Sequence, residues 1–201
     1  MVSEVEQYFS DAARSYDKRS RKRLWAWQRR REAKAVMKLL GNVDGDVSLD
    51  LGCGSGYYTR QLLEQGARQV TAIDFSSQML STLPIENVRH LHADAATFTD
   101  EIRAASIICA GLLEFVDQPV DVLTNARRHA TRNARLVCLV PPPTWPGGLY
   151  KRFHARHGLS INLISRQEMT AWGRQTGWRP DTYQFVWPYS LIMRFINGEA
   201  A

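Results

Sequence analysis

VSLDLGCGSGYYTRQL, residues 47–62, is the stretch that decides the fold. Its first five residues read as a strand, and residues 57–65 read as a helix. Between them Gly52, Gly54 and Gly56 stand at spacing two. A glycine-rich turn from strand to helix lets backbone amides and the positive helix N-terminus come close to a ligand. Folds that hold a pyrophosphate this way use G-x-G-x-x-G. Here Tyr57 takes the third glycine's place, and the carboxylate of Asp50 lies two positions before the first glycine. A fixed negative charge there repels a pyrophosphate and suits an ammonium group.

Outward from this turn, short β-rich runs alternate with helical stretches. Gln69–Asp74 is a predicted strand, 76–83 a helix ended by Pro84, and 87–94 a strand running into a loop. Ala104–Ala110 is a strand with an almost unbroken apolar interior, a helix opens near Pro119, and 134–140 is a further strand. Strands apolar on both faces and separated by helices predict an α/β fold, doubly wound around a parallel sheet. Asp74 ends the second strand, placed to take both hydroxyls of a ribose, and Asp94 follows the third. After residue 140 the pattern changes. Pro141, Pro142, Pro143 and Pro146 with Gly147 and Gly148 predict an irregular loop at the start of an insert over 141–165. S-R-Q-E from Ser165 is a capping-box pattern before a helix to about Arg174, and 181–187 with 190–195 read as a terminal β-hairpin.

With 44% hydrophobic and 23% charged residues among 201, the chain has the apolar content of a folded domain and is not a disordered segment. No apolar run approaches the roughly 20 residues of a membrane span. The first twenty residues hold no apolar core of a signal peptide, so a cytoplasmic protein is expected. Cys53, Cys109 and Cys138 lie far apart beside or within apolar segments, which predicts buried thiols and neither disulfides nor a zinc site; no metal is expected. The net charge of +6 is unevenly placed: from Arg14 to Lys38 eleven Lys and Arg face only Asp17 and Glu32.

The motifs D-L-G-C-G-S-G (Asp50 to Gly56), A-I-D-F-S-x-x-M-L (Ala72 to Leu80), H-A-D-A (His92 to Ala95) and L-E-F-V-D-Q-P (Leu113 to Pro119) resemble, in this order at strand ends, the class I S-adenosylmethionine-dependent methyltransferases. The resemblance implies a Rossmann-like, mostly parallel seven-stranded sheet, with S-adenosylmethionine as cofactor. It places Gly52 and Gly54 along the methionine part and Asp74 on the ribose. Phe75 and Met79 would flank the adenine, with Asp94 and Ala95 at its edge. Cys109, Ala110 and Gly111 would lie near the transferred methyl. The N-terminal Y-F-S-D-A-A-R-S-Y-D is similar to the opening of the quinone-biosynthesis and malonyl-carrier branch, which makes Tyr16 a cofactor-facing candidate.

On this reading residues 1–45 form a helical cap and 46–201 the cofactor-binding domain. A helical wheel puts Leu24, Trp25, Ala35, Val36 and Leu39 on one face of the cap, and Arg30, Arg31, Lys34 and Lys38 on the other, with Trp27 among the basic residues. Many members of the family carry His in L-E-H, where this chain has Phe115. A proton acceptor must then come from Tyr150, His154 or His157 in the insert, or from Glu114, or methyl transfer must proceed by alignment alone. Lys151, Arg152 and Arg156 would favour an anionic acceptor. There is no N-P-P-Y or D-P-P-Y after the fourth strand and no Pro-Cys pair, which disfavours amino-group methylation of DNA bases or of glutamine, and cytosine chemistry through a thiolate. The expected partner is a small-molecule acceptor. The alternatives are an RNA methyltransferase working through the basic helix, although nucleic acid is the less expected partner, and a non-catalytic cofactor-binding protein.

Overall fold

Ile107, Ile108 and Cys109 follow one another in a single strand and all three are fully buried. Such a run is possible only in a central strand covered on both sides. In the computed structural model, which describes residues 23–83, 87–156 and 158–198, that strand is β4 (Ala104–Ala110). It lies between β1 (Val47–Leu51) and β5 (Ala130–Val140). The sheet has seven strands in the order β3-β2-β1-β4-β5-β7-β6, with β2 at Gln69–Asp74, β3 at Val88–His92, β6 at Trp178–Val186 and β7 at Ser190–Asn197. β1 to β5 are parallel, and β7 enters antiparallel to both β5 and β6. The expected doubly wound, mostly parallel sheet is what forms.

Alternation along β4 sorts its side chains between two cores. Ile107 and Cys109 join Leu49, Leu51, Ile73, Val122, Met169 and Trp178 under α4 (Pro119–Arg128) and α6 (Arg166–Gln175). Ile108 faces the other way, toward Val36 and Leu40 of α1 (Arg23–Leu40) and Leu62 of α2 (Tyr57–Glu64). The apolar face of α1 is thus a layer of the core, while Trp27 is exposed on its basic side with the Arg31 guanidinium 4.4 Å over its ring. Arg135 fastens the end of α1 at the lower edge of the sheet, donating to the carbonyls of Leu40 and Asn42 and pairing with Asp46. The first turns of α1 therefore lie at the upper edge, where the parallel strands end.

Two elements differ most from their predicted form. β5 begins four residues early, at Ala130, because Ala104 pairs with Ala130 before the register shifts. The polar Arg132 and the left-handed Asn133 (φ 62°) hid that start. The insert does not stay irregular: Trp145–Ala155 is a helix, α5. The Thr144 hydroxyl caps it by accepting from the Gly147 amide, and Pro146 sits in the first turn, where no amide is needed. Gly147 is there for lack of room, since a Cβ would stand 2.1 Å from the Pro142 carbonyl oxygen. The capping box at Ser165 and Glu168 forms with both of its hydrogen bonds. Among the described residues no helix is long and apolar enough to cross a membrane, and no cluster suited to a metal ion occurs. The three cysteines are free and buried.

Candidate functional site

The turn after β1 is held from beneath. The amides of Gly52 and Cys53 both donate to the Ile73 carbonyl of β2, at 2.9 Å each. At its apex Gly54 has φ 52°, and a Cβ built there would meet nothing within 4 Å. Gly56 closes the turn at φ 75°, and its Cβ would fall 1.7 Å from Cδ1 of the buried Leu83. Gly56 is a packing glycine, whereas Gly54 opens onto the cleft above the sheet.

Asp74 organises this cleft. Its Oδ2 accepts from the Gly54 amide at 2.8 Å and its Oδ1 from the Ser76 amide at 2.9 Å, so one carboxylate ties the glycine turn to the end of β2. Burial nevertheless raises its pKa above the ordinary carboxylate value, against those two hydrogen bonds. Asp50 lies on β1, buried, and accepts from the Thr59 hydroxyl at 2.6 Å. Desolvation pushes its carboxyl up to about 6, with the neighbouring Asp74 charge adding to the shift. Among the described residues neither acid forms an ion pair with Lys or Arg. Two buried carboxylates beside an open glycine turn fit a ligand that brings positive charge and hydroxyl donors. S-adenosylmethionine carries both.

The other sequence-derived cofactor residues gather along the same edge. Phe75 is half-buried, its carbonyl bonded to the His92 ring at 2.8 Å, and Met79 is a buried residue of the short helix α3 (Ser77–Ser81). Asp94 is exposed, and its Oδ1 accepts from the Ala96 amide at 2.8 Å, which seats Ala95 in the loop after β3. Cys109 is different. Its thiol is turned into the core against Cys138, which together with burial pushes its pKa well up. Beyond it β4 ends at Ala110, followed by Gly111 (φ 72°), both half-buried. Tyr16 lies outside the described residues.

The opposite side of the cleft is built by residues far apart in the chain. Glu114, in the 3-10 turn Leu113–Phe115 just past β4, is buried, and its Oε2 accepts no hydrogen bond among the described residues. Burial drives its carboxyl up to about 8, and the charge of Glu32 on α1 adds to the shift. Glu32 itself is held by the Ser190 hydroxyl at 2.5 Å and the Gln28 amide at 2.9 Å. Above this group stands the inner face of α5. The ring of His154 meets Phe115 edge-on at 6.2 Å and Tyr150 at 4.4 Å, and Tyr150 stacks on Tyr189 of the β6–β7 turn at 5.0 Å. Phe115 is thus faced by an imidazole from the insert. Lys151, Arg152 and Arg156 are exposed, and His157 lies outside the described residues. The Glu32–Ser190–Gln28 group and Tyr189 carried no signal in the sequence. Glu114 did, as a lone acid in the apolar run G-L-L-E-F-V.

A family described as a methyltransferase domain matches residues 49–138. The demethylmenaquinone methyltransferase of Staphylococcus aureus is 30% identical over 165 residues, which is 76% of this chain and 66% of that protein. The chain therefore spans just under two thirds of the length of this relative. Among solved structures, the magnesium protoporphyrin IX methyltransferase of Synechocystis with bound S-adenosylhomocysteine superposes with a TM-score of 0.78 at 17% identity, over 96% of this chain and 98% of that one. The 1,6-didemethyltoxoflavin N1-methyltransferase of Burkholderia thailandensis gives 0.73 at 20% identity, over 97% and 88%. Motifs, sheet order and these matches agree: the chain belongs to the class I S-adenosylmethionine-dependent methyltransferases.

Proposed function

We propose that this protein transfers a methyl group from S-adenosylmethionine to a small-molecule acceptor that enters between α1, α5 and the β6–β7 turn. The cofactor supplies a methyl already activated on a sulfonium, so the chain has to bind, align, exclude water and manage a proton. Asp74 takes the ribose hydroxyls, Asp50 stands toward the ammonium end, and Gly52 and Gly54 let the backbone approach the methionine part. Phe75 and Met79 bound the adenine, with Asp94 and Ala95 at its edge. Ala110 and Gly111 form the floor beneath the reacting centre. Residues 1–45 act as the cap, α1 supplying its fixed part and Tyr16 a contact from the segment before it.

The single observation that carries the acceptor side is the seating of His154 against Phe115 and Tyr150. An imidazole there suits removal of a proton from a hydroxyl or carbon acid. His157 is the reserve base of the same segment. An anionic acceptor would meet Lys151, Arg152 and Arg156 at the rim and not on the floor. The free, buried thiols support a cytoplasmic setting. Small acceptors are supported by the similarity to the menaquinone enzyme; RNA has only the basic face of α1 in its favour.

The test is incubation with methyl-labelled cofactor and a set of small hydroxyl and carbon acids beside structured RNA. Label is expected in a small product, and His154→Ala should lower turnover by about 10²–10⁴-fold. Label in RNA alone rejects the acceptor class. Turnover of His154→Ala within a few-fold of wild type rejects the base and leaves alignment as the mechanism.

A further inference from the structure

Helix α5 has two faces. Tyr150 and His154 point inward to the cleft. The outward face carries Trp145, Leu149 and Phe153 at spacing four, exposed by 80%, 48% and 47%. Spacing four keeps the three side chains in one stripe. Arg152 and Arg156, both exposed, fall on the same side of the helix, and Lys151 is exposed beside them. From residue 122 to residue 167 the chain holds no Asp or Glu. Trp187, 69% exposed in the β6–β7 turn, continues the apolar rim at this edge, and Arg31 fastens that turn to α1 by donating to the Trp187 carbonyl at 3.0 Å. The nearby acid on α1, Glu32, is turned inward to Ser190.

We infer that the outward face of α5 and the β6–β7 turn form a contact for an anionic lipid surface. Tryptophan, leucine and phenylalanine on an amphipathic helix enter the headgroup boundary, while arginines within the stripe keep their charge among lipid phosphates. Charge complementarity selects this occupant: the face is cationic and apolar at once and free of acids over 46 residues of chain. The helix spans about 16 Å, at 1.5 Å per residue, and lies flat on such a surface without crossing it. The contact would turn the mouth of the cleft toward the bilayer, where an apolar acceptor could enter without passing through water. It does not depend on the methyl-transfer reading, because lipid binding is measured without turnover.

The experiment is co-sedimentation of the full chain with vesicles of equal parts phosphatidylglycerol and phosphatidylcholine, against vesicles of phosphatidylcholine alone. Binding is expected to the anionic vesicles and to fall as salt rises. Trp145→Ser should weaken it by at least about tenfold through lost apolar burial. Arg152→Gln with Arg156→Gln should weaken it by about 30-fold, roughly fivefold per charge. Circular dichroism and affinity for S-adenosylhomocysteine should not change in these variants, which shows that they fold. No sedimentation with anionic vesicles at low salt overturns the inference, as does sedimentation that both variants leave intact. Salt-sensitive binding of structured RNA with no binding of vesicles overturns it too. So does a dimer at micromolar concentration that Trp145→Ser dissolves while vesicles are ignored.

Discussion

The two sides of the cleft are made by opposite means. On the β1–β2 side, the proposed cofactor site is local: a glycine turn, an acid at a strand end, and a cap two residues on, all within one β-α-β unit and fixed by backbone hydrogen bonds from Gly52, Cys53, Gly54 and Ser76. On the α5 side, the proposed acceptor site is assembled from four distant segments: Glu32 on α1, Glu114 past β4, His154 on α5 and Tyr189 before β7. The first side has little freedom to vary, because its amides have no other place to bond. The second rests on ring contacts and one buried carboxyl, and can change without disturbing the sheet. The contrast separates a part fixed by backbone geometry from a part held by side chains alone.

The largest expected effect tests how rigid the first side is. Gly56→Ala places a Cβ on Leu83 in a left-handed conformation, so strain and overpacking together should cost about 2–5 kcal/mol of stability. Gly54→Ala meets no neighbour and should cost only about 1–2 kcal/mol, yet its methyl stands in the open part of the cleft. Cofactor affinity should therefore suffer in Gly54→Ala although the protein stays folded. Urea midpoints read the first effect and calorimetry the second. If Gly54→Ala binds as wild type does, the open side of the turn is not where the ligand lies.

Next in size is Asp74→Ala. Loss of a charge-assisted anchor should weaken S-adenosylhomocysteine by about 10–100-fold. Because Asp74 also holds the Gly54 and Ser76 amides, affinity alone does not separate anchoring from loop support. A ligand without the ribose 2′-hydroxyl does. Wild type should lose affinity for the 2′-deoxy analogue, and Asp74→Ala should treat the two ligands alike. An equal loss in both proteins would reduce Asp74 to a brace for the glycine turn.

This difference between the sides also explains what could be read from residues alone. The strand ends, the glycine turn, Asp50, Asp74 and the capping box at Ser165 are set by short-range geometry, and short spacings report it. The helix of the insert was hidden because Pro146, Gly147 and Gly148 ordinarily break helices. Here proline occupies the first turn and Gly147 packs under the Pro142 carbonyl, a contact no local pattern announces. Cys109 shows the converse. It is the penultimate residue of β4, where the resemblance put it near the transferred methyl, but pleat alternation sends its thiol into the core.

The last prediction bears on the assembled side. The Glu114 carboxyl, pushed to about 8 by burial, faces the acidic Glu32 of α1 and the Cys109 thiol of β4, and no cation among the described residues neutralises it. Its ordinary value is 4.5, so between 4.5 and about 8 the native state holds a proton that the unfolded chain has released. Stability must then fall as pH rises through that window. Burial of Asp50, Asp74 and Glu32 pulls the same way, so from pH 6 to 8 the Glu114 part is the difference in slope between wild type and Glu114→Gln. That part should be about 2–3 kcal/mol, at roughly 1.4 kcal/mol per pH unit. Glu114→Gln cannot titrate and should remove that part of the slope, which urea unfolding at pH 6 and pH 8 measures. Adding S-adenosylmethionine to wild type should flatten the slope more than S-adenosylhomocysteine does, because the sulfonium is charged and the thioether is not. If both ligands act alike, Glu114 lies too far from the reacting centre to sense it. Its carboxyl then belongs to the packing of α1 and not to the acceptor site.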